Sequence, residues 1–209
     1  MVNSAIPDKS TELQILEAAR EVFLEKGFDG ARMQEIANKA GINKALLHYY
    51  FRTKEKLFMG IFVEAIGQLI PRVQSAVQYS TSFRDLVTIF VHSYHDIMEA
   101  NPYLPVFVVR EINRMPELVV DMMKNKGFDV GMIKMIISFQ VSQGNIRPVD
   151  PVQFLISLIG QCIFPFIGMP LLKGVLLENS HEAAEKLMLE RREFVIEFVL
   201  KGLDYVEEK

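Results

Sequence analysis

Apolar residues recur three and four positions apart along almost the whole chain, as in Ile15, Ala19, Val22 and Phe23 or, with Arg191 filling one place, in Leu187, Phe194 and Phe198. That spacing lays one greasy stripe along an α-helix, and nowhere does the strict alternation of a half-buried strand persist. Helix starts are marked by Thr11 three residues before Gln14, Ser82 before Asp85 and Asn179 before Glu182; in each pair the first side chain caps free N–H groups and the second reaches back. Asp150 followed by Pro151 gives another start, because the N–H that proline lacks is one the first turn leaves unbonded. Gly27, Gly41 and Gly144 each follow a helical stretch and suit the left-handed conformation that ends it. These marks predict an all-α chain with helices over residues 11–26, 33–40, 44–51, 54–78, 83–100, 102–114, 117–143, 151–175 and 181–206, about nine in all.

The third segment mixes side chains unusually. Residues 41–57 read GINKALLHYYFRTKEKL, an aromatic run set among Lys44, Arg52, Lys54 and Lys56. With Leu47 facing the core of a helix, Phe51 falls about 40° away and Tyr50 about 60° to the other side, while Ala45, Tyr49 and Arg52 lie near the opposite pole and His48 at about 100°. Leu47 and Phe51 then anchor the helix. Tyr49 and His48 project outward among cations, where a merely solvated face usually carries Glu, Gln or Lys. The preceding segment supplies Met33, Ile36, Ala37 and Ala40, and small Ala37 permits close approach across Gly41. Two short helices joined by that turn form a helix-turn-helix.

Charge is distributed to match. The 209-residue chain carries a net −3, which argues against indiscriminate binding to nucleic acid. Residues 30–58, however, hold Arg32, Lys39, Lys44, Arg52, Lys54 and Lys56 against Glu35 and Glu55, a local +4, whereas residues 59–209 sum to −4. Half the residues are apolar, which suits one or two compact domains. The single Cys162 excludes an intramolecular disulfide, and residues 1–12 contain no apolar leader, so a reducing, cytoplasmic setting is expected. Cys162 itself reads as a buried, inert thiol.

Residues 11–58 resemble the N-terminal domain of the TetR/AcrR family of bacterial transcriptional regulators. The resemblance rests on Phe23, Gly27 and Phe28 in F-x-x-x-G-F, on Ile36, Ala37, Ala40 and Gly41 in IA-x-x-A-G-I, and on Tyr50, Phe51, Lys54 and Leu57 in YF-x-x-K-x-x-L, met without insertion. It implies that residues 44–51 enter the major groove of double-stranded DNA, with Lys44, Ala45, Leu46, His48 and Tyr49 facing bases and sugar-phosphate and Lys54 gripping a phosphate. Arg32, Gln34 and Arg52 complete the expected DNA-facing set. It further implies a DNA-binding domain over 1–55, a ligand-binding and dimerisation domain over 56–209, a homodimer and a pseudo-palindromic operator. The chain departs from the family pattern at Ala31, where Thr or Ser is common, at His48, where Tyr is usual, and at Leu46, where a polar residue is usual. Asn43 replaces a frequent Ser or Thr and caps equally well.

Other chemistry finds less support. His92, His95, Asp96 and Glu99 share one helix face at a spacing metal ligands can use, but one helix seldom closes a site and ordinary i, i+4 polar pairs have the same spacing. Glu178 and His181 form a single Glu-x-x-His with no second copy for a di-iron bundle. No glycine-rich phosphate loop, G-x-S-x-G elbow or H-E-x-x-H occurs, so the sequence points to no catalysis, no cofactor and no metal. Residues 152–172 are uncharged and long enough to span a bilayer. Gln153, Ser157 and Gln161 nevertheless make a polar stripe there, and Pro165 and Pro170 interrupt it, so a helix buried between its own core and a second subunit is expected instead.

The reading that follows is a dimeric, ligand-responsive transcriptional regulator, taken as a repressor released by a small, mostly apolar effector, with activation left open. Dimerisation is expected through residues 151–175 and 181–206. The effector is expected among His92, Tyr94, His95, Phe107, Arg110, Glu111, Asn113, Phe139, Gln140 and Phe164, polar groups set in greasy helices, in a pocket of about 300–1,000 Å³. Its message would reach the DNA through a tilt of the helix over 54–78. The alternative is a helical small-molecule binding or carrier protein whose helix-turn-helix is only packing; the local +4 separates the two.

Overall fold

The structure is a computed structural model that describes residues 9–79, 82–102, 104–114 and 116–206. Among these residues every element is helical: α1 (Lys9–Gly30), α2 (Met33–Lys39), α3 (Lys44–Tyr50), α4 (Lys54–Tyr79), α5 (Phe83–Ala100), α6 (Leu104–Arg114), α7 (Pro116–Asn125), α8 (Val130–Ser142), α9 (Pro151–Val175) and α10 (His181–Gly202). The all-α expectation holds, with ten helices in place of nine. The stretch expected as one helix over 117–143 is two, because Gly127 takes a left-handed φ of 86° and Asp129 caps a new start by accepting from the Gly131 N–H.

Local signals set most boundaries. Ser82 Oγ accepts from the Asp85 N–H, Asp150 from those of Val152 and Gln153, and Asn43 from that of Leu46. Two starts differ from the sequence expectation. α1 already runs from Lys9, so Thr11 caps nothing, and Gln14 spends its amide on the Ala40 carbonyl at the end of α2. Ser180, one residue after the expected Asn179, caps α10 by accepting from the Ala183 N–H, because Asn179 is occupied in a left-handed turn at φ 60°. The start of α2 falls at Arg32 with no side-chain cap, consistent with the missing Thr or Ser at Ala31.

α1, α2, α3 and the first turns of α4 close one core in which Ile15, Ala19, Ile36, Ala37, Leu47 and Leu57 are fully buried. α5 packs on α4, α9 and α10, and α9 in turn holds α6 and α8. Gly27, at φ 68° and ψ 172°, interrupts α1 and turns Phe28 back under α4. There its ring lies 5.3 Å from that of Phe58 and 5.1 Å from that of Phe107, so α6 of the second helical layer touches the first domain directly.

Three prolines break backbone ladders inside long helices. Pro71 lies in α4, and Pro165 and Pro170 lie in α9; each lacks the N–H that would bond the carbonyl four residues earlier. For Pro165 that carbonyl belongs to Gln161, and the Arg191 guanidinium of α10 donates to it at 3.1 Å. Sequence spacing shows that Gln161 needs a donor; nothing local says that it comes from thirty residues later. α9 is the one described helix long and apolar enough to cross a membrane, with a mean hydropathy of 1.9. Val152, Ile156, Phe164, Leu171 and Val175 are exposed in the single chain, so only one of the two faces expected to be covered is covered within it.

Candidate nucleic-acid interface

α3 sorts its side chains as the helical wheel requires. Leu47 is 0% and Phe51 8% exposed, tying the helix to α1 and α4, while Lys44, Ala45, His48, Tyr49 and Arg52 are exposed and Leu46 is half-buried. Tyr49 is 59% exposed and meets Tyr50 edge-on at 5.6 Å, which braces an outward ring. The His48 ring lies with Nδ1 3.1 Å from the Arg52 carbonyl oxygen. A carbonyl only accepts, so Nδ1 carries the proton and Nε2 is left for a partner outside the chain.

The cations of this segment divide into held and available. Lys39 is clamped by Glu21 and Glu25 of α1 at 2.7 and 2.9 Å, which raises its pKa and spends its charge inside the domain. Lys54 donates to the carbonyls of Asp29 and Ala31 at 3.2 and 3.1 Å and sits 4.6 Å over the Phe28 ring, so it locks the turn between α1 and α2. Lys44, Arg52 and Lys56 have no carboxylate partner among the described residues. On α2, Gln34 is exposed and bonds Asn38 at 2.9 Å, and Arg32 is exposed at the uncapped start.

The effector candidates do not converge. His92 bonds Glu193 of α10, and Tyr94 and His95 are buried where α5 meets α9 and α10. Phe107 packs 4.1 Å from Phe58, and Arg110 lies over Phe28, so these two serve the junction with the first domain. Asn113 bonds its own helix at the Val109 carbonyl, Gln140 is buried against Asn145, and Phe139 and Phe164 are exposed. The side chain of Glu111 lies outside the described part of the structure. Asp96 and Glu99, weighed as metal ligands, instead clamp Arg192 at 2.6 and 2.7 Å, and no cluster of three metal-ligating side chains occurs among the described residues. Arg192, and Arg191 within the stripe that Leu187, Phe194 and Phe198 form, carry no local sequence signal of these roles. A shallow cleft with room for only about 20 Å³ opens between α1, α4 and the α5–α6 turn, lined by Arg20, Phe23, Phe58 and Asn101. It is smaller than the expected pocket and lies away from most candidates.

Two short helices with a left-handed glycine between them, the second presenting Lys44 and Tyr49 with Arg52 just beyond its end, form a helix-turn-helix, the arrangement that seats a helix in a DNA groove. Residues 15–61 match the profile of bacterial regulatory proteins of the tetR family, so this segment is similar to the DNA-binding domain of that family. It is 31% identical over 94 residues, 45% of the chain and 43% of the relative, to the HTH-type transcriptional activator FasR of Mycolicibacterium smegmatis. It is 24% identical over 102 residues, 49% of the chain and 53% of the relative, to the fatty acid metabolism regulator protein of Bacillus subtilis. The chain thus spans about half the length of these curated relatives. The crystal structure of the transcriptional regulator FadR from Bacillus subtilis in complex with stearoyl-CoA superposes with a TM-score of 0.63 at 18% identity, covering 88% of this chain and 97% of that one, which shows a shared fold. The family is one of transcriptional regulators, not of enzymes.

Proposed function

We propose that this chain is a homodimeric, cytoplasmic transcriptional regulator that binds a pseudo-palindromic operator through residues 1–55 and answers a small-molecule effector through residues 56–209. One observation carries the DNA reading: Lys44 at the start of α3 and Arg52 just beyond its end lie exposed and unpaired on either side of outward Tyr49, with α3 anchored from behind by Leu47 and Phe51. Ala45, Leu46, His48 and Tyr49 read base edges and sugar, with Leu46 suited to a thymine methyl, while Arg32, Gln34, Arg52 and Lys54 hold the backbone. Lys54 does so with what its two carbonyl bonds leave free. Selecting bound fragments from random DNA tests this directly. A recovered two-fold sequence is the expected result, and recovery of unselected sequence removes the assignment.

The second subunit is read from α9 and α10. Their exposed Ile156, Leu171, Phe194 and Phe198 present more apolar surface than a monomer of this size normally leaves in water, and a two-fold bundle of four helices covers it. The effector is read as mostly apolar, with a relative seen bound to stearoyl-CoA in support. An effector that prefers one arrangement of the heads by about 2.7 kcal/mol shifts operator affinity roughly a hundredfold. Release of the operator, the act of a repressor, is the simplest outcome of such a shift. A helical carrier without DNA binding would leave exposed Lys44 and Arg52 without a role.

A further inference from the structure

His95 is 0% exposed, and neither of its ring nitrogens has a hydrogen-bond partner. The other buried side chains with an orphaned atom, those of Arg20, Glu35, Glu64, Arg84 and Arg191, each have at least one bonded partner elsewhere on the group. His95 has none, and the Phe166 ring lies against it, edge-on at 5.3 Å. A polar ring shut away unbonded opposes folding, so its place in the core asks for a reason outside the folded chain alone. Arg191 lies across the same junction. It uses one donor on the Gln161 carbonyl, its Nε is buried without a partner, and no carboxylate pairs with it among the described residues, whereas its neighbour Arg192 is held by Asp96 and Glu99. Burial lowers the pKa of Arg191 and takes that of His95 down to about 4, so at neutral pH the place holds a guanidinium whose Nε has no partner, beside the Phe194 ring, and a neutral imidazole with neither nitrogen bonded.

We propose that His95 and Arg191 form the polar end of the effector site, at the junction of α5, α9 and α10, and that it takes the carboxylate of a molecule with an apolar body. A single guanidinium balances one negative charge, which favours a carboxylate over a phosphate dianion. The walls at hand, Tyr94, Cys162 and Phe166, are apolar or carry groups that burial keeps neutral, the thiol being pushed up to about 12. The consequence for the fold is direct: an anion that draws Arg191 toward itself loosens its hold on the carbonyl that Pro165 leaves unbonded, inside a helix of the proposed dimer face.

This site rests on the effector reading above, and one set of measurements tests both. Thermal melting of the full chain is followed with octanoate and with palmitate, each against its matching primary alcohol. At least one carboxylate is expected to raise the melting temperature by several degrees while its alcohol does not. His95→Phe and His95→Met are expected to melt higher than wild type without ligand and to lose the shift. Arg191→Gln, which keeps a donor for Gln161, is expected to bind the carboxylate at least about tenfold more weakly. The site is overturned if neither carboxylate outperforms its alcohol on wild type, or if the His95 variants or Arg191→Gln keep the wild-type shift. DNA selection on the same preparations separates the two readings: selective DNA binding without a carboxylate response removes the site alone, and a carboxylate response without selective DNA binding removes the regulator and leaves the site.

Discussion

Arg110 reaches out of α6 to place its guanidinium 4.6 Å from the ring centroid of Phe28, the distance at which the Lys54 ammonium also sits over that ring. One aromatic ring of the first domain is therefore shared by a cation of the second layer and by the cation that locks the α1–α2 turn. Phe28→Leu keeps apolar bulk but removes the ring face, worth about 0.5–1 kcal/mol for each cation. The variant is expected to melt lower and to bind operator about threefold to tenfold more weakly, while its sequence preference stays that of wild type. Unchanged affinity in binding isotherms would show that the ring does not position Lys54.

Lys54→Ala goes further, because it removes two carbonyl bonds as well as a charge. Binding should weaken nearly uniformly across operator sequences, and the slope of log affinity against log salt should fall by about one. A slope equal to that of wild type would mean that Lys54 is spent entirely inside the domain.

Lys44→Ala and Tyr49→Ala belong to a different class. Both side chains are exposed and neither supports the core, so stability should stay within about 0.5 kcal/mol of wild type. Operator affinity should drop by roughly 1–3 kcal/mol, with relaxed preference at particular base pairs. Competition binding against a panel of operator variants reads this out.

For the dimer, Gly160 is the cleanest probe. A Cβ there meets nothing within 4 Å in the single chain, so Gly160→Glu should be tolerated by the subunit and rejected by a packed partner. Phe194 and Phe198, stacked at 5.8 Å and exposed, offer the matching test on α10 with Phe194→Glu. Sedimentation should show wild-type dimers and monomeric variants; dimeric variants would place the interface elsewhere.

Acid should expose His95. Burial first, and then Arg192, hold its folded pKa at about 4 against an unfolded value of 6.5, so between these values the unfolded chain binds a proton that the folded chain refuses. Stability is then intact above about pH 6.5 and falls as pH drops toward 4, by up to roughly 3 kcal/mol from this residue. Denaturant unfolding of wild type and His95→Phe across that window should diverge, the variant losing less. Parallel curves would mean that His95 gains a partner on acidification.

What was legible in the sequence was what neighbours along the chain decide. Leu47 and Phe51 turn inward because the helical period puts them on one side, and Asn43, Ser82 and Asp150 cap because the N–H groups they reach lie two or three residues away. The break at Gly127 was missed because apolar spacing continues through it, and only the left-handed turn shows the stop. Lys39 counted toward the positive segment, yet α1 brings Glu21 and Glu25 to it. Likewise the polar residues of α5, α6 and α8 look alike as sequence, and helix packing sends His92 to α10, Arg110 to Phe28 and Gln140 to Asn145. Which face meets which is a property of the assembled helices.

Pro71 changes how a signal can travel. A continuous helix transmits a push along its length, but α4 lacks a backbone bond to the Gly67 carbonyl at Pro71, so it behaves as a jointed rod. Movement of its far turns would be taken up at the joint before it reached Lys54. A lever that bypasses the joint must act on α4 before that point, and Phe107, whose ring is tilted against that of Phe58 on the first turns with centroids 4.1 Å apart, would be such a lever. In this chain the stroke would pass sideways from α6, with the far half of α4 following rather than driving.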